Sequence, residues 1–297
     1  MNDTSRAYLY AIITVLFWST VATAFKVALR SLDIYQLVFY ACLASTMVLL
    51  IPVLVSGNVV ELVRVGRLHW RFTLLVACLN PVCYYLVLFA AYDRLPAQIA
   101  QPINYTWAIV LTFLSVIFLK QRPTRFDFAA AFICYAGVLV IATEGNVDVL
   151  QFSNSTGLIL AILSTFIWSG YWILNIKDKR DQRFGMCLNF LVALPITFVI
   201  CLAFSSFDVA PEGVASAFYV GVFEMGLAFL FWSRALRLVE NTSRVSTLIF
   251  LSPFLSLFFI QQILGERIMV TTYIGLVVIV VGLMVQRIRM PDHKTSD

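Results

Sequence analysis

The sequence predicts an all-α integral membrane protein: ten transmembrane helices arranged as two inverted five-helix repeats, with both termini in the cytoplasm. Three observations lead there. The 297 residues are 61% hydrophobic and 12% charged, with a mean hydropathy of +0.90, and a soluble domain would carry roughly twice that charge. Apolar stretches recur along the chain with short connections between them, and about 20 residues of helix cross the hydrocarbon core of a bilayer. Motifs of the first half return in the second at a nearly constant offset.

The predicted spans are 7–29, 34–56, 72–92, 96–119, 126–143, 156–176, 184–205, 213–236, 245–264 and 270–287. The first follows a short polar leader, and Ala22-Thr23-Ala24 superficially offers a signal-peptidase site. Its apolar run is too long for a signal sequence, and it shares a motif with the sixth span, so it is expected to stay in the mature protein. The third span contains Asn80-Pro81, and Pro leaves a backbone carbonyl without its usual helical donor. The fourth carries a polar stripe, Gln98, Gln101, Tyr105 and Thr112, with Pro102 expected to kink it. The fifth carries Gly137 and the tenth Gly275 and Gly282. The ninth answers the fourth with Ser243, Ser246, Thr247 and Ser252-Pro253. Every connection is short, which leaves no room for a soluble domain.

Orientation follows from Lys and Arg. With the N-terminus inside, the cytoplasmic segments hold seventeen of these residues, in clusters such as Arg64, Arg67, Arg71 and Lys177, Lys179, Arg180, Arg183. The outer side holds four: Lys26, Arg30, Arg94 and Arg267. This is a strong positive-inside pattern. The outer loops carry acids, Glu144 with Asp148 and Asp208 with Glu212. The net charge of +5 therefore records topology and gives no reason to invoke nucleic acid.

Several chemistries find no residues to carry them. All six cysteines fall inside apolar spans without a CxxC pair, and read as small packing residues. The two histidines, His69 and His293, sit in a loop and in the tail, so neither a metal centre nor a Ser-His triad can be built within the membrane. No phosphate-binding G-x-x-x-x-G-K-[ST] loop occurs, so the chain is not expected to couple ATP hydrolysis to anything itself. Asn154-Ser155-Thr156 matches a glycosylation sequon, but a loop this short beside the bilayer makes a poor acceptor.

Leu16-Phe17-Trp18-Ser19-Thr20 in the first span returns as Phe166-Ile167-Trp168-Ser169-Gly170 in the sixth, 150 residues on. Leu119-Lys120-Gln121-Arg122 aligns with Leu264-Gly265-Glu266-Arg267, and Gly137 with Gly282, both at an offset of 145. Collinear matches of this kind indicate two repeats, 1–148 and 153–297. Five spans per repeat is an odd number, so the second copy must enter the membrane from the opposite face. That is the layout of secondary transporters with a binding site near the midplane.

These residues resemble the drug/metabolite transporter superfamily, EamA type, over nearly the whole chain. The resemblance is carried by Trp18-Ser19 and Trp168-Ser169, the Pro253 segment, Leu264-Gly265-Glu266-Arg267, and the Gly-rich fifth and tenth spans. Asn104-Tyr105-Thr106-Trp107 is similar to the fourth-helix segment of the superfamily's bacterial aromatic amino-acid exporter. Gln121 departs from the family, standing where the first repeat usually has Glu, and Tyr40-Ala41 lies near where many members carry Arg. The resemblance implies ten helices built as two EamA repeats, and export of an amino acid or related metabolite from a bacterial cell.

The first candidate site residue is Glu224, the one charge in the apolar stretch Val214 to Ser233. A carboxylate at that depth costs several kcal/mol, and such residues usually face a cavity and do work there. The structural alternative is a neutral Glu bonded to a neighbouring helix. At an offset of 144 its counterpart is Asn80, with Tyr84 one turn on. Gln101, Asn104 and Tyr105 are expected on the wall of the same cavity, as are Trp18, Trp168, Tyr171 and Trp172, whose flat rings suit amino acids, aromatic metabolites or organic cations. Lys26 is expected to snorkel to the outer surface.

The reading is a secondary transporter of the inner membrane, multi-pass, handling a small organic metabolite by alternating access, with proton coupling at Glu224. Its partners are the substrate, the bilayer and protons; no cofactor, metal or obligate protein partner is implied. A passive channel or facilitator, and an intramembrane enzyme, are the alternatives. The enzyme lacks deep histidines and a paired carboxylate, and the channel lacks a reason for internal inversion.

Overall fold

The computed structural model describes residues 3–120, 123–143, 154–238 and 248–287. The described residues are helical, without strands. Among the described residues, seven helices are long and apolar enough to cross a membrane: Asp3–Ala28, Ile34–Val55, Trp70–Arg94, Ala97–Leu119, Ser155–Lys177, Gln182–Phe204 and Pro211–Trp232. Three shorter helical stretches, Arg125–Ala142, Ser252–Leu264 and Val270–Arg287, occupy the fifth, ninth and tenth expected segments. Ser243, Ser246, Thr247, Gln121, Arg122, Glu144 and Asp148 lie outside the described residues.

Helix ends follow local chemistry. The second segment opens on a capping box, in which the Asp33 side chain accepts from Tyr35 N and Gln36 N while Gln36 Oε1 accepts from Asp33 N. Thr124 and Asp127 do the same for the fifth. Asn154 of the sequon caps the sixth, accepting from Gly157 N at 2.8 Å. At the far end of the fourth segment Lys120 turns left-handed, φ 57°, as Gly265 does after the ninth at φ 71°.

One element was not legible in the sequence: a helix, Val59–Leu68, lies between the second and third segments. It buries Leu62 and exposes Val59, Val60, Val63 and Leu68. Ten residues with Glu61, Arg64 and Arg67 among them are too few and too charged to register as a span.

Packing brings distant segments together. The first packs on the eighth and ninth, and the sixth on the third and fourth. The second packs on the seventh and eighth, the seventh also on the third, and the fifth on the tenth. Glycines allow the closest approaches. A Cβ at Gly137 would lie 2.7 Å from the Gly275 carbonyl, and one at Gly282 would lie 2.6 Å from Cys134 Sγ. Gly221 of the eighth segment lies against the Ala41 carbonyl of the second.

Three segments are broken in mid-course. The third is kinked within Cys78–Cys83, where Asn80 is extended at φ −143°, ψ 122°. The eighth contains a π-helical stretch, Val220–Leu227. The π pattern adds a residue to the turn and frees backbone groups; one of these, the Gly221 carbonyl, accepts from Ser45 Oγ at 2.8 Å. The fourth breaks at Thr106, between Ala97–Tyr105 and Trp107–Leu119, rather than at Pro102. There the Thr106 hydroxyl and amide both bond the Ile103 carbonyl, closing a tight turn.

Candidate functional site

Most of the predicted site residues meet where the third, fourth, sixth and eighth segments converge. Glu224 projects from the π-helical stretch of the eighth. Its Oε1 accepts from Tyr85 of the third segment at 3.4 Å, and its Oε2 is buried with no hydrogen-bond partner. The Trp18 indole interacts with the same carboxylate. Tyr85 stacks edge-on against Tyr84, 4.8 Å between centroids, and Tyr84 stacks on Trp168 at 4.5 Å. Trp168 continues to Tyr171 at 5.2 Å and Trp172 at 6.0 Å. The aromatic rings thus form one continuous wall.

A polar thread runs behind that wall. Tyr84 donates its hydroxyl to Asn104 Oδ1 at 3.3 Å, and Asn104 Nδ2 donates to Ser164 Oγ of the sixth segment at 2.9 Å. The Tyr105 hydroxyl and Ser252 Oγ are 3.0 Å apart. Asn80 is 2% exposed, with its Oδ1 unpartnered, and its side chain lies beside Tyr171. Gln101 is 4% exposed with Oε1 unpartnered, and Trp172 Nε1 is also buried without a partner. Native interiors leave few such atoms.

Other predicted residues fall elsewhere. Trp18, although it touches Glu224, packs mainly on Trp232 and Phe229, at 5.4 and 6.1 Å. Gln98, read from the sequence as part of the polar stripe of the fourth segment, turns to the start of the tenth, bonding Met269 N, Thr272 Oγ1 and the Arg267 carbonyl. Lys26 reaches the end of the third segment, where its ammonium donates to the Tyr92 and Leu95 carbonyls at 2.8 and 3.2 Å.

The EamA-like transporter family matches the chain twice, at residues 5–143 and at 155–287. The chain belongs to that family. An uncharacterised transporter of Archaeoglobus fulgidus is 24% identical over 94% of this chain and 96% of its own length. The uncharacterised Bacillus subtilis transporter YwfM is 22% identical over 97% of this chain and 96% of its own. A solved crystal structure with 19% identity superposes with a TM-score of 0.66, covering 96% of this chain and 99% of that one; at that identity the likeness concerns the fold. The protein is thus a multi-pass membrane transporter.

Within this EamA-like transporter, two site residues escaped the sequence reading. Tyr85, the donor to Glu224, is five residues from Asn80, a spacing that a regular α-helix would place off the Asn80 face. The kink at the extended Asn80 alters that register. Trp107 lies parallel to Trp172 at 6.1 Å, and its carbonyl accepts from Ser169 of the second Trp-Ser motif at 2.8 Å. Trp107 already stood in the Asn104-Tyr105-Thr106-Trp107 segment, so its signal was present.

Proposed function

We propose that this EamA-like transporter is a secondary active exporter of a small organic metabolite, an amino acid or related compound, across the bacterial inner membrane. It works by alternating access between two inverted five-helix repeats, 1–148 and 153–297, and Glu224 loads and unloads the coupling proton. One observation carries the coupling role: a lone carboxyl, deep in its span, with one long bond to Tyr85, the Trp18 indole beside it and one unpartnered oxygen. An ionised carboxylate in that setting is costly, and a proton removes the cost. When the site opens to either side, water can solvate the anion and the proton can leave.

The repeat reading is supported by symmetry in the packing. Exchanging the first five segments with the last five turns the first–eighth contact into the sixth–third contact, and the first–ninth into the sixth–fourth. The second–eighth contact likewise becomes the seventh–third, while second–seventh and fifth–tenth map onto themselves. The double family match supports the same division. The aromatic wall suits a flat or amphipathic substrate, which slides along rings at little cost.

The test begins with the metabolites of cells with and without the gene. The compound that accumulates in cells lacking it is then labelled and offered to proteoliposomes. A carrier exchanges labelled for unlabelled compound in counterflow; a channel does not, and an enzyme alters it chemically. Absence of counterflow with the accumulated compound overturns the carrier reading.

A further inference from the structure

The helix Val59–Leu68 has three differently furnished sides. Leu62, Val65 and Gly66, continued by the cap residue His69, share the side that faces the protein; Leu62 is buried and the others half-buried. A Cβ at Gly66 would lie 3.0 Å from Leu188 Cδ2, so this side rests directly on the seventh segment. The next side is open and apolar, with Val59 and Val63 one turn apart and Val60, 82% exposed, beside them. Arg67 rises from the edge of that side, one turn after Val63, and Arg64, Glu61 and Leu68 lie beyond it, all exposed. Just past the helix Trp70 is exposed, and the Arg71 guanidinium lies over its ring at 5.2 Å.

This helix joins the second and third segments at the ends assigned as cytoplasmic by the Lys and Arg distribution. The chain leaves the second segment through Gly57, at a φ of 68° that costs glycine nothing, and turns upward again at Trp70. Ten residues of helix cannot cross a bilayer, so this one lies along its surface. An apolar side next to a cationic one is the pattern of an interfacial helix, with valines at the acyl boundary and arginines among the headgroups. Trp70 suits the same depth. The charges give the sign of the headgroup. Glu61 pairs with Arg64 at 3.6 Å, but both are exposed, and such a pair is worth little in water. Among the described residues Arg67 and Arg71 have no carboxylate partner. The acids of the sixth–seventh connection are already engaged, Asp178 with Arg180 and Asp181 with Arg183.

We propose that residues 59–71 form a binding site for an anionic phospholipid of the cytoplasmic leaflet. An acyl chain lies against Val59, Val60 and Val63, and the phosphate is held by Arg64, Arg67 and Arg71. The assignment is independent of what the protein carries.

Native mass spectrometry of the whole protein, offered phosphatidylglycerol and phosphatidylcholine of matched chains, tests the charge. The natural protein should hold phosphatidylglycerol in preference. Arg64→Gln, Arg67→Gln and Arg71→Gln should each weaken that binding roughly fivefold, and the triple Lys variant should keep most of it. Removing three exposed charges elsewhere on the same face, by Arg125→Gln, Lys177→Gln and Arg234→Gln, should leave most of the preference intact. Equal losses in the two sets would reduce it to an effect of net charge and overturn the site. Inorganic phosphate should displace the lipid no better than sulfate at equal ionic strength; specific displacement would make this a site for a free anion and overturn the lipid assignment. Depth is read separately in vesicles of the two lipids. With Cys78 and Cys83, the two cysteines that are not buried, changed to Ser, an environment-sensitive fluorophore is placed on Val60→Cys. It should be quenched more strongly by spin-labelled phosphatidylglycerol than by spin-labelled phosphatidylcholine. Absence of quenching overturns the proposal, whether water or a second copy of the chain covers that side. The Lys variant and the label, both at exposed positions, keep the test independent of losses in folding.

Discussion

Asn80 and Glu224, 144 positions apart, each sit in an interruption of their own helix, Asn80 at an extended kink within Cys78–Cys83 and Glu224 in the π-helical stretch Val220–Leu227. Each also carries a buried oxygen with no hydrogen-bond partner, Asn80 Oδ1 and Glu224 Oε2. A buried oxygen left unpartnered in an irregular turn is an expensive arrangement for mere packing. Both interruptions face the sixth-segment and first-segment tryptophans that carry the repeated Trp-Ser motif: the third packs on the sixth, and the eighth on the first.

Asn80→Ala separates a role in transport from one in stability. Because Oδ1 has no partner, the substitution forfeits only the amide's contact with Tyr171 and should change stability by no more than about 1.5 kcal/mol, read as a small shift in thermal unfolding in detergent. Counterflow should nevertheless fall by about tenfold, the equivalent of roughly 1.4 kcal/mol in the transport barrier. A large loss of stability with normal exchange would make Asn80 a structural residue.

Gly137→Ala tests the fifth–tenth contact. The new Cβ would stand 2.7 Å from the Gly275 carbonyl and 2.8 Å from Ile279 Cγ1, and a backbone oxygen cannot swing aside. Overpacking of this kind costs about 1–3 kcal/mol, so thermal unfolding should move down by several degrees. An unchanged midpoint would mean that the two helices separate freely.

Arg180 anchors the connection between the sixth and seventh segments. Its guanidinium, with the side chain 1% exposed, pairs with Asp178 at 2.7 Å, and it reaches Thr73 Oγ1 at 2.7 Å and Asn189 Oδ1 at 3.1 Å. Phe72 stacks beneath it at 5.0 Å. Removing one partner of a buried pair costs about 3–5 kcal/mol, so Arg180→Ala should lower both yield and unfolding temperature sharply. Arg180→Lys should recover only part, since an ammonium cannot serve Asp178, Thr73 and Asn189 in one plane. Full recovery by Lys would mean that charge alone matters there.

The sequence told most where burial is expensive. Apolar length located the helical segments, and Glu224 stood out because nothing else in its stretch is charged. Irregular backbone was harder to see. Pro102 pointed to a kink, yet the fourth segment breaks at Thr106, whose hydroxyl competes for the Ile103 carbonyl. Tyr85 stayed hidden because sequence spacing assumes regular turns, and the kink at Asn80 changes the register. Gln98 shared a helical stripe with Gln101, but lies at the first turn, where the ends of another helix were within reach. Caps between distant segments leave no local pattern to read.

The most direct measurement of coupling compares Glu224→Gln with the natural protein in proteoliposomes, for the compound identified by the metabolite comparison. Gln keeps the shape and the bond to Tyr85 while removing ionisation. Proton loading at Glu224 predicts that counterflow persists, because exchange needs only the site and the rocking motion, whereas transport driven by a pH gradient collapses. Undiminished pH-driven transport by Glu224→Gln would contradict the coupling role outright.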